Sequence, residues 1–228
     1  MKSILFVVFL LLSSSCYAES YDDALNQIET EWANIYYNTP KNQQAKAYSH
    51  LLSKVSGLIK QYPAAAEPLY WQASIKASQA AHLDPFTTLS AINDARDLLV
   101  KVININPVAM NGSALVTLGT LYYMVPKWPI AFGDDEEAKK LLETALSINP
   151  NGIDSNYFYG EYLLQHNDLK SAGQYFEKAI AAPTRIEQAF ADDKLKTEAK
   201  LALQNTRERK IGGEKNIFLS LFNSANSE

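Results

Sequence analysis

His50, His82 and His166 stand far apart, and Cys16 is the only cysteine, so the short His/Cys spacings that metal sites use are absent. No GxSxG elbow, phosphate-binding glycine loop or GxGxxG turn occurs either. The acidic pairs Asp134-Asp135 and Asp192-Asp193 could in principle move protons, but adjacent residues at a helix start point apart, and capping suits them better. What remains is recognition. Tyr70, Tyr123 and Tyr157, with Phe86, Trp128 and Phe132, offer broad apolar contact area, and tyrosine adds a polar tip. These residues point to binding without catalysis, with no cofactor and no metal.

The elements that must position them follow from the prolines. Pro63, Pro107, Pro150 and Pro183 each close an amphipathic run. Ala95, Leu99, Val102 and Pro107 are spaced 4, 3, 5; Ala138, Leu142, Ala145 and Pro150 repeat that spacing; Ala172, Phe176, Ala179 and Pro183 match with one residue fewer. Spacings of 4 and 3 keep side chains on one helical face, and a proline cannot supply the next backbone donor. Each such helix follows another that carries a small residue beside bulky ones: Trp71-Gln72-Ala73, Leu118-Gly119 and Tyr159-Gly160. A glycine inside a helix costs about 1 kcal/mol relative to alanine, which suggests a neighbouring backbone passing close by.

With these paired helices the chain resembles the tetratricopeptide repeat family across residues 64–183, most clearly in "DSNYFYGEYLLQHNDLKSAGQYFEKAIAAP". The resemblance implies an all-α, right-handed solenoid of about nine helices. Residues 19–63 form a diverged helix pair, right in period but lacking the small residues; 184–211 form a capping helix, and 212–228 an apolar tail behind Gly212-Gly213.

The family's unit places 12 residues between the small residue of the first helix and the leading alanine of the second, as from Gly160 to Ala172. From Gly119 to Ala138 the distance is 19, and from Ala73 to Ala95 it is 22, so two successive units carry extra residues at one structural point. Stacked units would set "AHLDPFTTL" (81–89) beside "VPKWPIAFGDD" (125–135) on one edge, often the binding face of a solenoid. Pro126 and Pro129 stiffen the second loop, Gly133 permits a sharp turn, and Asp134 or Asp135 caps the helix after it. Trp128, Ile130 and Phe132 either line a recess there or fold back to plug the gap.

In repeats of this kind the first helix of each pair lines the concave surface. That face holds Glu67, Tyr70, Ser74 and Ala77; Ser113, Val116, Thr120 and Tyr123; then Asp154, Tyr157, Glu161 and Leu164. The expected site is Tyr70, Phe86, Val116, Thr120, Tyr123, Trp128, Phe132, Tyr157 and Glu161. The stretch "GSALVTLGTLYYMVPKWPIAFGDDEEAKKLLETALSINPNGIDSNYFYGEYLL" is also similar to the T component, the helical-repeat accessory proteins of TRAP transporters. That resemblance implies a periplasmic or lipid-anchored protein holding a hydrophobic ligand and a solute-binding partner; the alternative is an envelope scaffold that holds a partner's peptide in its groove.

Export is expected from the leader. Lys2, the apolar run Ile4 to Leu12 and the small residues before Cys16-Tyr17-Ala18 read as a signal peptide cleaved after Ala18. A lipid anchor on Cys16 would call for an aliphatic residue three places earlier, where Ser13 stands. With 21 basic and 25 acidic residues and no basic tract, nucleic acid is not an expected partner. The tail places Ile217, Phe218, Leu221 and Phe222 on one side if helical, to pack on the capping helix or on a second subunit.

Overall fold

Four of the helices end two residues before a proline. α2 (Lys41–Gln61), α4 (Pro85–Ile105), α6 (Asp135–Ile148) and α8 (Leu169–Ala181) stop short of Pro63, Pro107, Pro150 and Pro183. A proline ring crowds the residue before it out of the helical region. Tyr62, Asn106, Asn149 and Ala182 accordingly take ψ values of 66°, 98°, 73° and 147°.

The computed structural model describes residues 20–207. The leader with Cys16, the last residues of the expected capping helix and the 212–228 tail lie outside the described residues. Within them are nine α-helices, the others being α1 (Tyr21–Asn38), α3 (Ala66–Ala80), α5 (Ser113–Met124), α7 (Ile153–Gln165) and α9 (Ala189–Arg207). Among the described residues no helix is long and apolar enough to cross a membrane.

Consecutive helices pack on one another from α1 to α9, and the odd-numbered helices add a second set of contacts, α1 with α3, α5 with α7 and α7 with α9. This two-layer order is that of a TPR-like helical solenoid. Its seams are the repeated triplets: Ala95, Leu99 and Val102, Ala138, Leu142 and Ala145, and Ala172, Phe176 and Ala179 are all fully buried. The small residues of the first helices receive them. A Cβ on Gly119 would lie 2.8 Å from Leu142 Cγ, and one on Gly160 would lie 2.8 Å from Phe176 Cε1.

Three expectations are corrected. The extra residues between Ala73 and Ala95 do not make a long loop over 81–89: only 81–84 leave the helices, and the remainder lengthens α4, started by Asp84 accepting from the Phe86 and Thr87 amides with Pro85 in its first turn. Gly133 does not serve a sharp turn through left-handed backbone, since it is not among the positive-φ residues. It supplies space, because a Cβ there would fall 2.2 Å from the Val125 carbonyl oxygen. Over 184–207, the described part of the expected capping helix, the chain is not one helix: a 3-10 turn at Ile186–Gln188 precedes α9. That turn and α9 pack against α1. Among the described helices α9 therefore returns to α1.

Candidate functional site

The contact of α9 with α1 closes the inner row of helices around a cavity of about 230 Å³. Each wall has a traceable local origin. α1 brings Glu29, Trp32 and Tyr37, and it is held to α3 by Tyr21 Oη donating to Glu67 (2.9 Å) and Trp32 Nε1 donating to Ser78 Oγ (3.0 Å). From α3 come Tyr70, Trp71 and Ser74. Trp32 and Trp71 meet with ring centres 5.9 Å apart, and Tyr70 meets Trp71 edge-on at 5.3 Å.

Between α3 and α5 the wall is a backbone feature. Met110, Asn111 and Gly112 have φ of 48°, 57° and 82°, three successive left-handed residues. That conformation suits glycine and asparagine but costs a methionine roughly 1–2 kcal/mol. It places Met110 and Asn111 in the cavity wall, beside Ser113 and Val116 of α5. Strain of this sort, found in a cavity wall, is a pointer to function.

The remaining wall is polar. Arg185, just before the 3-10 turn, bridges two acids: NH1 lies 3.2 Å from Asp154 Oδ2 of α7, and the guanidinium also donates to Asp192 of α9. Asp192 further accepts from the Arg185 amide at 2.7 Å, so it pins this turn in addition to standing at the start of a helix. Gln188 donates through Nε2 to Glu29 Oε2, joining the 3-10 turn to α1. Burial pushes the Glu29 carboxyl up to about 8, opposed by Arg185 and reinforced by Asp154 and Asp192. Burial also raises Asp154, with Arg185 pulling the other way. Loss of solvent acts to lower Arg185, but Asp154, Asp192 and Glu29 outweigh it and hold the guanidinium firmly charged.

Of the residues named from sequence, Tyr70 and Val116 line this cavity, as do Ser74, Ser113 and Asp154 of the wider concave face. The others are placed elsewhere. Thr120 is fully buried with its hydroxyl donated to the Val116 carbonyl (2.8 Å). Tyr123 packs edge-on to Tyr162, and Tyr157 packs among Phe158 and Phe176. Glu161 is buried near Glu198 of α9, whose carboxyl is pushed up to about 8 by burial and then by Glu161. Phe86 is 87% exposed at the start of α4. Residues missing from the sequence-derived list are Glu29, Trp32, Trp71, Arg185, Gln188 and Asp192. A signal existed for the tryptophans in their period along α1 and α3, but none for the others.

The proline loop divides. Phe132 folds back against Tyr122 (5.2 Å) with the Arg96 guanidinium of α4 4.8 Å over its ring, while Trp128 and Ile130 remain 85% and 66% exposed. The loop is tied at its base by Gly133 N donating to the Pro126 carbonyl and Asp134 N to the Tyr122 carbonyl, both 2.9 Å. Lys127 pairs with Asp135 at 2.6 Å, and Asp134 caps α6 by accepting from the Glu136 and Glu137 amides. Among the described residues no group of three His, Cys, Asp or Glu side chains is placed to hold a metal ion.

A tetratricopeptide repeat model matches residues 130–151, the end of this loop together with α6. The match falls one unit before the stretch whose spacing resembles the family most clearly. No curated protein matches the chain. A repeat of this kind points to a protein–protein interaction or scaffold role.

Proposed function

We propose that this chain is an exported TPR-like binding protein that holds a small amphiphilic molecule inside its closed solenoid and serves as an accessory component of a TRAP-type solute transport system. The observation that carries the reading is the cavity framed by α1, α3, α5, α7 and α9. An aromatic wall from α1 and α3 faces a polar wall from α7 and residues 185–192, and the Gln188–Glu29 hydrogen bond joins the 3-10 turn to α1. Small-molecule sites combine apolar enclosure with a few converging polar groups in this manner. The α1–α9 contact ends the concave groove, which disfavours the alternative use of that face, an extended partner peptide.

A protein partner has a different place to dock. Trp128 and Ile130 stand on a loop fastened at its base, and exposed tryptophans on rigid supports are the residues that anchor interfaces. Native mass spectrometry of protein purified without detergent tests the cavity: a co-purifying small-molecule mass, lost on Trp71→Ala with helicity retained, is expected. Repeated absence of any such mass, together with no uptake of added amphiphiles, would remove the ligand-binding reading and leave the scaffold.

A further inference from the structure

The walls of the cavity carry more acid than base. Glu29, Asp154 and Asp192 face it, and among the described residues that line it Arg185 is the only lysine or arginine. Arg185 is already committed, with contacts to Asp154 and Asp192, so an incoming anion would have to displace a carboxylate to reach it. Glu29 is different. Among the described residues no ion pair reaches it, and its hydrogen bond comes from the neutral amide of Gln188. Trp32, Trp71 and Tyr70 line the same cavity, and rings of this kind attract cations to their faces.

We infer that the cavity takes a small ammonium-bearing amphiphile, with its cationic head at Glu29 and its apolar body against Trp32, Trp71 and Phe158. This rests on the reading that the cavity holds a ligand, and it names the ligand's class. The ammonium gives Glu29 a direct ion-pair partner, which Arg185, held by Asp154 and Asp192, does not, and its N–H groups meet carboxylate acceptors. The cavity's size excludes a folded partner and suits a single ring or a short chain.

Binding also moves a proton. Glu29 faces Asp154, Arg185, Asp192 and Gln188, with Tyr70 beyond them, and near neutral pH its carboxyl is mostly protonated, because burial raises it to about 8. When an ammonium settles against it, the carboxyl O–H bond breaks, the proton passes to buffer, and the carboxylate pairs with the ligand's nitrogen. The ammonium keeps its own protons.

Isothermal titration of the mature chain with three probes of one shape, 2-phenylethylamine, 2-phenylethanol and phenylacetate, tests this directly. The amine is expected to bind at least about tenfold more tightly than the alcohol, and phenylacetate weakest, as charge-assisted hydrogen bonding dictates. Titrations at pH 7 in phosphate and in Tris should differ in apparent heat by a released proton for the amine only. Glu29→Gln, near in shape and checked by circular dichroism, should abolish both the amine preference and the proton release while leaving the alcohol's affinity unchanged. Equal binding of all three probes, or tightest binding of phenylacetate, overturns the ammonium assignment but leaves a ligand-binding cavity. Failure of all three to bind overturns the inference; failure of the reading beneath it requires in addition that native mass spectrometry find no ligand.

Discussion

The α7–α8 pair and the closure between α1 and residues 185–192 are built on opposite terms. In α7–α8, one glycine and one phenylalanine fit each other: Gly160 leaves the space that the Phe176 ring fills, with Ala172 and Ala179 on either side. Everything in that seam is local, apolar and repeated elsewhere in the chain. The closure has no repeat. It joins residues more than 150 positions apart through Gln188 and Glu29, adds the edge contact of Tyr37 with Phe190 at 6.0 Å, and gathers three acids about one arginine. Apolar fit supports the scaffold, and partly desolvated charge supports the place where the scaffold meets itself. A buried ion cluster contributes little net stability, yet removing one partner is costly. A solenoid closed in that way can have a recess with polar groups inside it.

Phe176→Ala should have the largest effect on this contrast. It empties a fully buried site and should cost about 3–5 kcal/mol, read from urea unfolding. Arg185→Ala comes next. It strands Asp154 and Asp192 without their cation, and because the guanidinium is a third exposed, a loss of roughly 2–3 kcal/mol is expected. Amide exchange should then quicken in α9 and α1 while α4 to α6 keep their protection. Uniform loosening of all helices would mean that the closure is not separable from the repeats.

A smaller effect should appear with pH. Glu29 and Glu198 have folded-state carboxyls near 8 against an ordinary 4.5, so the folded chain holds their protons more tightly than the unfolded chain. Their contribution is therefore fully present below about 4.5 and is lost as pH rises toward 8. The double variant Glu29→Gln, Glu198→Gln should gain on the wild type progressively between pH 5 and pH 8 in urea midpoints; a constant difference across that range would rule out the burial of these carboxyls. Least disturbed should be Trp128→Ala, whose side chain is largely exposed and whose removal should change stability by less than about 0.5 kcal/mol. Its expected consequence is loss of partner capture with ligand retention intact. Loss of ligand instead would return the loop to the cavity's account.

The contrast also separates what could be read in advance. The helix ends were legible because a proline two residues on has one steric consequence, whatever the tertiary context. So were the buried triplets, whose 4, 3 spacing leaves a single helical face. Trp71 and Asp154 lie on helices read correctly from their period, yet nothing in the spacing said that Trp32, on a helix without the small-residue pattern, would face them. The extra residues before Ala95 were read as loop because a count of residues does not distinguish a longer helix from a longer connection; Asp84 and Pro85 carried the start signal, which the count overrode.

By itself the sequence determined the period, the breaks and the inner faces of the helices, since these depend on neighbours within about one turn. It also determined that Phe132 and Trp128 share one stiff loop. Only the tertiary structure decided that this loop splits, one ring packed under Arg96 and the other left in solvent, and that α9 returns to α1. Closure depends on small angles between successive helices, summed along the chain, and no short stretch of residues encodes such a sum. The cavity, and the acids that give it a chemical preference, exist because of it.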